Sequence, residues 1–443
     1  MKKSCIFAFF FINMTRKSQN WTYLFSANFF GILNDNFLKN CIIFIGITWT
    51  LPAWLNLSQL TTLVSAGLII PYLFFSPLSG KIAVKFAKQA VFRWCKVAEF
   101  PIVLLACIAF WKQWVFVSLL SVLIMGIQSC LYSPAKYGLI RDIGGESGIS
   151  FGSGMLETMA FLGILIGTVA ASFMADYGTV FWVCVLFFVF ASFGYLFARS
   201  IKVKELPVEQ NQNTSINPIR FLKQSYFFAK QYPTINLAVF GVSMFWLIGG
   251  LTQMNLIIHC RQTLQTSFSA TGIVMAMAAI GIAAGCGLAG KLLKHIKNSW
   301  LIFIGLSGMI VFLLLIILFN PTIYWFAAFI CLFALMGGLF EVPCLVLIQQ
   351  ANIGRKLGDM LAYMNFVTFI FILIGSLIFS LVTYLSNENS IAVFATILVL
   401  CLITLYCFIF GNSKPIPFFL STLLRTKPKI KAAAPRQANT NIG

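Results

Sequence analysis

The chain has 443 residues, 60% of them hydrophobic and only 9% charged, with a mean hydropathy of +0.91. A soluble core of this length does not need so much apolar surface, whereas a helix that crosses a bilayer needs about 20 consecutive apolar residues. Lys and Arg outnumber Asp and Glu by 31 to 11; in a soluble protein that excess would point to nucleic acid, but in a membrane protein it follows from basic connections held on the inner side, so no nucleic-acid partner is expected.

Lys2 and Lys3 precede a short apolar patch, Ile6 to Ile12, which superficially resembles a signal peptide. The patch is brief and no clear small-x-small cleavage site follows, so residues 1–20 are read as a cytoplasmic leader or as the product of a start codon placed upstream of the true one. Twelve spans are then predicted at 21–48, 59–80, 95–111, 114–135, 150–173, 178–198, 234–258, 268–290, 299–319, 322–348, 359–384 and 391–411. They divide into a six-span half at 21–198, a polar cytoplasmic linker at 199–233, and a second six-span half at 234–411. The linker holds Gln210-Asn211-Gln212-Asn213-Thr214-Ser215, a flexible polar segment, and then Phe221 to Ala229, which suits a short interfacial helix. The tail, 412–443, carries Lys414, Arg425, Lys427, Lys429, Lys431 and Arg436 among Phe418, Phe419, Leu420, Leu423 and Leu424, with no acid. Anionic membrane lipids are its expected partner.

An even number of spans puts both termini on one side, and the basic residues test that register. Four precede the first span, and five surround the second connection (Lys81, Lys85, Lys88, Arg93, Lys96). With those of the later even-numbered connections and the tail, 28 of 31 fall on the side of the termini. Only Lys112 and Arg261 fall opposite, and Lys39 lies in or near the first span. Both termini are therefore expected in the cytoplasm. The halves also look related. Ser79-Gly80-Lys81 ends span 2 as Ala289-Gly290-Lys291 ends span 8, Met125-Gly126 answers Met336-Gly337, and Met155-Leu156 opens span 5 as Met360-Leu361 opens span 11. Six plus six with a long centre is the layout of major facilitator transporters, whose site lies between the halves near the midplane.

Enzymatic chemistry finds no support. There is no Gly-x-x-x-x-Gly-Lys-Ser/Thr phosphate loop, neither His heads a His-x4-Asp pair, and the twelve Cys form no Cys-x-x-Cys. The chain is read as a non-enzyme without cofactor or metal.

The sharpest polar signal is Asp35, halfway through span 1 in Asn34-Asp35-Asn36. A carboxylate at the centre of a spanning helix costs about 2.5–3.5 kcal/mol, so it lines a cavity or joins an internal hydrogen-bond cluster. Lys39, at i+4 on the same face, is expected to neutralise it locally. Glu341 stands in Gly337-Gly338-Leu339-Phe340-Glu341-Val342-Pro343, where a helix broken by proline leaves it facing the pathway or capping a kink. Glu157 opens span 5, and Glu99 is expected near the membrane edge, where it costs little. Lys136 follows Pro134, which is expected to break the helix, and either attracts a phosphate or simply obeys the positive-inside rule. Gln253 in span 7, with Thr252 and Asn255, is an uncharged hydrogen-bonding group whose default role is packing. The candidate substrate-binding set is Asp35, Asn36, Lys136, Glu157, Gln253 and Glu341.

Several of these segments together resemble the lysophospholipid transporter (flippase) family, a branch of the major facilitator superfamily. They are Asn34-Asp35-Asn36, Tyr132-Ser133-Pro134-Ala135-Lys136-Tyr137-Gly138, Gly154-Met155-Leu156-Glu157 with Gly163 and Gly167, Phe245-Trp246, Ala279-Ile280-Gly281-Ile282 with Gly285, and Met336 to Pro343. The Tyr-Ser-Pro-Ala-Lys-Tyr-Gly string is the most specific, and the match runs in order from about residue 21 to 410. The resemblance implies an all-α fold of twelve transmembrane helices in two pseudo-symmetric six-helix bundles. It also implies carriage of a lysophospholipid, such as lysophosphatidylethanolamine, across the bacterial inner membrane by alternating access, for re-acylation by a cytoplasmic acyltransferase. Asp35 would contact the headgroup and Lys136 its phosphate. Two positions depart from the pattern: Val84 takes the place of the superfamily's acid after span 2, and Gln253 that of the family's Arg in span 7. The rival within the superfamily is an exporter or importer of another small amphipathic molecule; a non-transporting scaffold and a membrane acyltransferase are the rivals outside it.

Overall fold

The computed structural model describes residues 16–205 and 217–410, apart from 47, 53, 54, 56 and 267. The first part of the leader, Gln210 to Ser215 and the basic tail lie outside the described residues. The first half comprises α1 (Arg16–Gly46), α2 (Leu57–Lys85), α3 (Lys88–Lys112), α4 (Val115–Gly144), α5 (Ile149–Tyr177) and α6 (Val180–Ser200). A short α7 (Pro218–Lys230) leads to α8 (Pro233–Ile258), α9 (Phe268–Leu292), α10 (Asn298–Phe319), α11 (Ile323–Gln349), α12 (Leu357–Leu385) and α13 (Ser390–Phe410). Each long helix coincides with one apolar stretch of the sequence. Eleven are apolar enough throughout to cross a membrane on length and composition. The exception is α1, whose apolar character is diluted by Asn28, Asn34, Asp35, Asn36, Lys39 and Asn40.

Two helix limits differ from expectation, and both matter to the site. Pro134 does not break α4, which runs on through it to Gly144, and Pro343 likewise sits inside a continuous α11. Neighbouring helices re-satisfy the backbone group that an interior proline frees. Further, α3 begins at Lys88, so Lys88, Arg93 and Lys96 belong to the helix and not to a connection. Its start is fixed by Glu205 from beyond α6, whose two carboxylate oxygens accept the backbone N–H groups of Lys88 (2.7 Å) and Gln89 (2.9 Å). A negative group at a helix N-terminus satisfies orphan donors and complements the helix dipole. The interfacial helix is present as α7, capped by the Asn217 side chain with Pro218 in its first turn. It buries Phe221, Ser225 and Ala229 and turns Arg220 and Lys223 outward.

Packing sorts the long helices into two six-helix bundles. In the first, α1 lies against α4, α5 and α6, with α4 also against α2 and α3; in the second, α11 lies against α8, α9 and α10, with α8 also against α12 and α13. The bundles meet through two equivalent pairs, α2 with α12 and α5 with α9. These pairs close the molecule at the face where α1 begins, called here the terminal face. A Cβ on Gly154 would lie 2.5 Å from the Cys286 carbonyl oxygen and 2.7 Å from Gly290 Cα, so only glycine permits that approach. The related Gly80 faces Asp359 and Ala362 at the α2–α12 crossing. Arg141 donates to the Ala351 carbonyl (3.0 Å), and Asn365 donates to Ser133 Oγ (2.9 Å). Toward the opposite face Gly249, Gly250 and Gly272 look onto open space. The cleft between the bundles is thus shut at the terminal face.

Candidate substrate site

Seven residues, about two helical turns, separate Asn28 from Asp35 on α1 and Ser129 from Lys136 on α4. Each helix therefore turns two polar layers toward the other. In the layer nearer the terminal face, Tyr132 Oη and Lys136 Nζ both donate to Asn28 Oδ1, each at 3.2 Å. Asn28 Nδ2 donates in turn to the Leu156 carbonyl of α5 (3.1 Å). In the other layer, Ser129 Oγ donates to Asp35 Oδ2 at 2.7 Å. Asp35 is half-buried, and its Oδ1 has no hydrogen-bond partner among the described residues.

Lys136 is buried, with its ammonium 5.4 Å from the ring centroid of Tyr132 and 5.0 Å from that of Tyr137. Such ring faces attract a cation that has lost its water. Tyr137 Oη donates to Glu157 Oε1 at 2.7 Å. Glu341 reaches in from the second bundle, 1% exposed, with Cys286 Sγ 3.9 Å from its Oε2 and the Trp246 indole beside it. Lys136 feels both Glu157 and Asp35, and Glu341 feels Glu157, so one electrostatic network crosses from bundle to bundle.

One helical turn beyond this network is an apolar cavity of about 310 Å³. Phe161 lines it four residues after Glu157 on α5, Gly337 four residues before Glu341 on α11, and Trp246 joins the two regions. Met275, Ala278, Met309 and Phe333 form more of its wall. Phe161 and Trp246 stack, with centroids 5.8 Å apart. Gly163 and Gly167, which bracket the wall residue Ile164, pack on α1 between Phe29 and Phe37. Asp35 accordingly stands near the height of the cavity, on the first bundle, whereas most of the cavity wall belongs to the second. A polar anchor at the height of an apolar pocket of this size suits a ligand that is polar at one end and hydrocarbon at the other.

Of the six candidate residues, Asp35, Lys136, Glu157 and Glu341 share the network. Asn36 does not: its Nδ2 donates back to Ile32 O of its own helix (2.9 Å). Gln253 is exposed and lines the apolar cavity, away from the carboxylates. Two expectations require correction. Lys39 makes no ion pair with Asp35 among the described residues; Asp35 bonds across the helix crossing to Ser129 instead. Glu99 is not at the membrane edge. Because α3 starts at Lys88, Glu99 lies eleven residues in, about 16 Å along the axis, and it is 1% exposed. There it pairs with Lys96, which is also fully buried. Sequence reasoning also missed Asn28, Gln128 and Ser129, whose signal is their spacing on faces shared with Asp35 and Lys136.

The profile of the major facilitator superfamily matches residues 55–376, and again 260–437. The chain belongs to the major facilitator superfamily. It is 25% identical over 360 residues to the lysophospholipid transporter LplT of Pectobacterium carotovorum, covering 79% of this chain and 83% of that one. It is 26% identical to the LplT of Yersinia enterocolitica over 333 residues, covering 73% and 77%. Among solved structures, the human organic anion transporter MFSD10 superposes with a TM-score of 0.69 at 16% identity, over 89% of this chain and 99% of that one. The fucose:proton symporter of E. coli does so at 0.66 and 12%, over 89% and 98%. These two likenesses bear on the fold alone, twelve long helices in two bundles. The superfamily match makes this a multi-pass membrane transporter.

Proposed function

We propose that this transporter moves a lysophospholipid, of the lysophosphatidylethanolamine type, across the bacterial inner membrane by alternating access. One observation carries the reading: a half-buried carboxylate and a buried ammonium, two turns apart on facing helices, stand near the height of an apolar cavity. A zwitterionic headgroup brings its ammonium to Asp35 and its phosphate toward Lys136, while the single acyl chain enters the pocket beside Trp246. Binding there repays the desolvation of both charges, which an apolar or neutral cargo would leave unmatched. The names of the relatives in Pectobacterium and Yersinia support the same cargo.

The closed terminal face corresponds to a state loaded from the opposite side, and the basic residues orient that face to the cytoplasm. Moving Lys96 from a connection into the bundle does not alter that asymmetry. The cargo delivered inside is a substrate for a cytoplasmic acyltransferase, and the basic tail rests on anionic lipids. The two six-helix halves, taken as 21–198 and 234–411, rock about the site as units. The test is uptake of labelled lysophosphatidylethanolamine into proteoliposomes. Wild type is expected to exceed protein-free vesicles and Asp35→Asn to fall to their level; equal uptake in all three rejects the lipid assignment.

A further inference from the structure

Behind Asp35 lies a hydrogen-bonded chain that leads away from the cleft. The hydroxyl of Ser129 lies 2.7 Å from Asp35 Oδ2 and 3.1 Å from Gln128 Oε1. Gln128 Nε2 donates to the Cys95 carbonyl (2.9 Å) and to Glu99 Oε1 (3.2 Å). The same Glu99 oxygen receives the Lys96 ammonium. Lys96 is wholly buried, 5.3 Å from the centroid of the Tyr132 ring, the same ring that Lys136 approaches. Its seat exists because residue 31 is glycine; a Cβ there would overlap the ammonium.

A buried ion pair is poor value as a stabiliser, since well-packed apolar residues of similar volume hold helices together as well or better. This pair is instead wired, through two side chains, to the carboxylate that faces the cleft. We propose that Lys96 and Glu99 are positioning residues for the headgroup contact at Asp35, acting through Gln128 and Ser129. The chemistry is that of one proton shared between two acceptors. Ser129 carries a single hydroxyl hydrogen, which it gives to Asp35 when that carboxylate is free. When a cationic headgroup occupies Asp35, the hydroxyl turns to Gln128 Oε1. Glu99, held by Lys96, fixes the Gln128 amide in the orientation that offers Oε1 to Ser129. Without that anchor the amide is free to flip its N–H toward the serine, and the hydroxyl then has no second acceptor to turn to when a headgroup takes Asp35.

The inference rests on the proposed lipid transport, and its test uses two variants that keep every charge. Gln128→Leu cuts the chain, and Gly31→Ala pushes the Lys96 ammonium off Glu99. Each is reconstituted, quantified as folded protein, and assayed with labelled lysophosphatidylethanolamine over a range of concentrations. Loss of one charge-assisted bond is expected to raise KM about tenfold with kcat held. A merely structural role would lower the amount of active protein and leave KM unmoved. A KM within twofold of wild type in both variants overturns the inference while leaving the transport function standing. A wild type that moves no lysophospholipid overturns the proposed function, and the inference with it.

Discussion

Gly154 and Gly290 set how firmly the terminal face is shut. A methyl group on Gly154 would sit 2.5 Å from the Cys286 carbonyl oxygen and 2.7 Å from Gly290 Cα. Ordinary contacts need about 3.5–4.0 Å, so Gly154→Ala must push α5 and α9 apart by about 1 Å. Overpacking of this kind costs about 1–3 kcal/mol. The cost falls only on the state in which α5 and α9 touch here, because the proposed alternating access would separate them at this face in the other. The substitution therefore shifts the equilibrium toward the state closed at the opposite face by about 5- to 150-fold. Spin labels replacing Phe173 on α5 and Ile273 on α9, both exposed and near the opposite face, report the change as a distance distribution in a cysteine-depleted chain. The expected result is a larger short-distance population. A control is Gly163→Ala, whose Cβ would meet the Phe29 carbonyl at 3.0 Å within one bundle; it should lower stability without moving the populations. A Gly154→Ala distribution that matches the parent refutes the idea that this crossing gates the terminal face.

Three further outcomes are expected. Tyr137→Phe removes the donor to Glu157 Oε1 inside the bundle, which should cost about 1–3 kcal/mol and show as a lower unfolding temperature in detergent; an unchanged transition would mean that Glu157 has another partner. Lys96→Met leaves Glu99 buried and unpaired and should destabilise by about 3–5 kcal/mol, whereas Lys96→Met with Glu99→Met should recover most of that loss in the same melt; an additive double variant would contradict a coupled pair. Ala278→Leu fills part of the apolar cavity, so competition between lysophospholipids should shift toward shorter acyl chains; an unchanged preference would place the acyl chain elsewhere.

The long helices are legible in the sequence because hydrocarbon imposes a length on every span, and connections to either side must be polar. The polar centre of α1 is equally legible, since a carboxylate at mid-span must either line a cavity or join an internal hydrogen-bond cluster. What escaped was depth. Lys96 and Glu99 stand close to where apolar residues thin out, and a sequence cannot distinguish a helix that starts there from one that started two turns earlier. Glu205, remote in sequence, fixes that start by capping α3. Partner choice escaped as well. Lys39 is the neighbour of Asp35 along the helix, but Ser129 is its neighbour across the crossing, and only the packed bundle decides between them. Prolines at 134 and 343 read as breaks because an isolated helix would break there, yet both lie within continuous helices once surrounded by others.

Trp246 touches both regions, its ring against the wall of the greasy pocket and its N–H beside the Glu341 carboxylate. Anything that slides into that pocket jostles the indole, and the indole handles a charge at the seam between the halves. In the proposed transport cycle the hydrocarbon tail of a lysophospholipid would thereby be felt at the seam between the halves. A bare headgroup stripped of its tail would find Asp35 but leave this latch undisturbed, and so would be held without being carried.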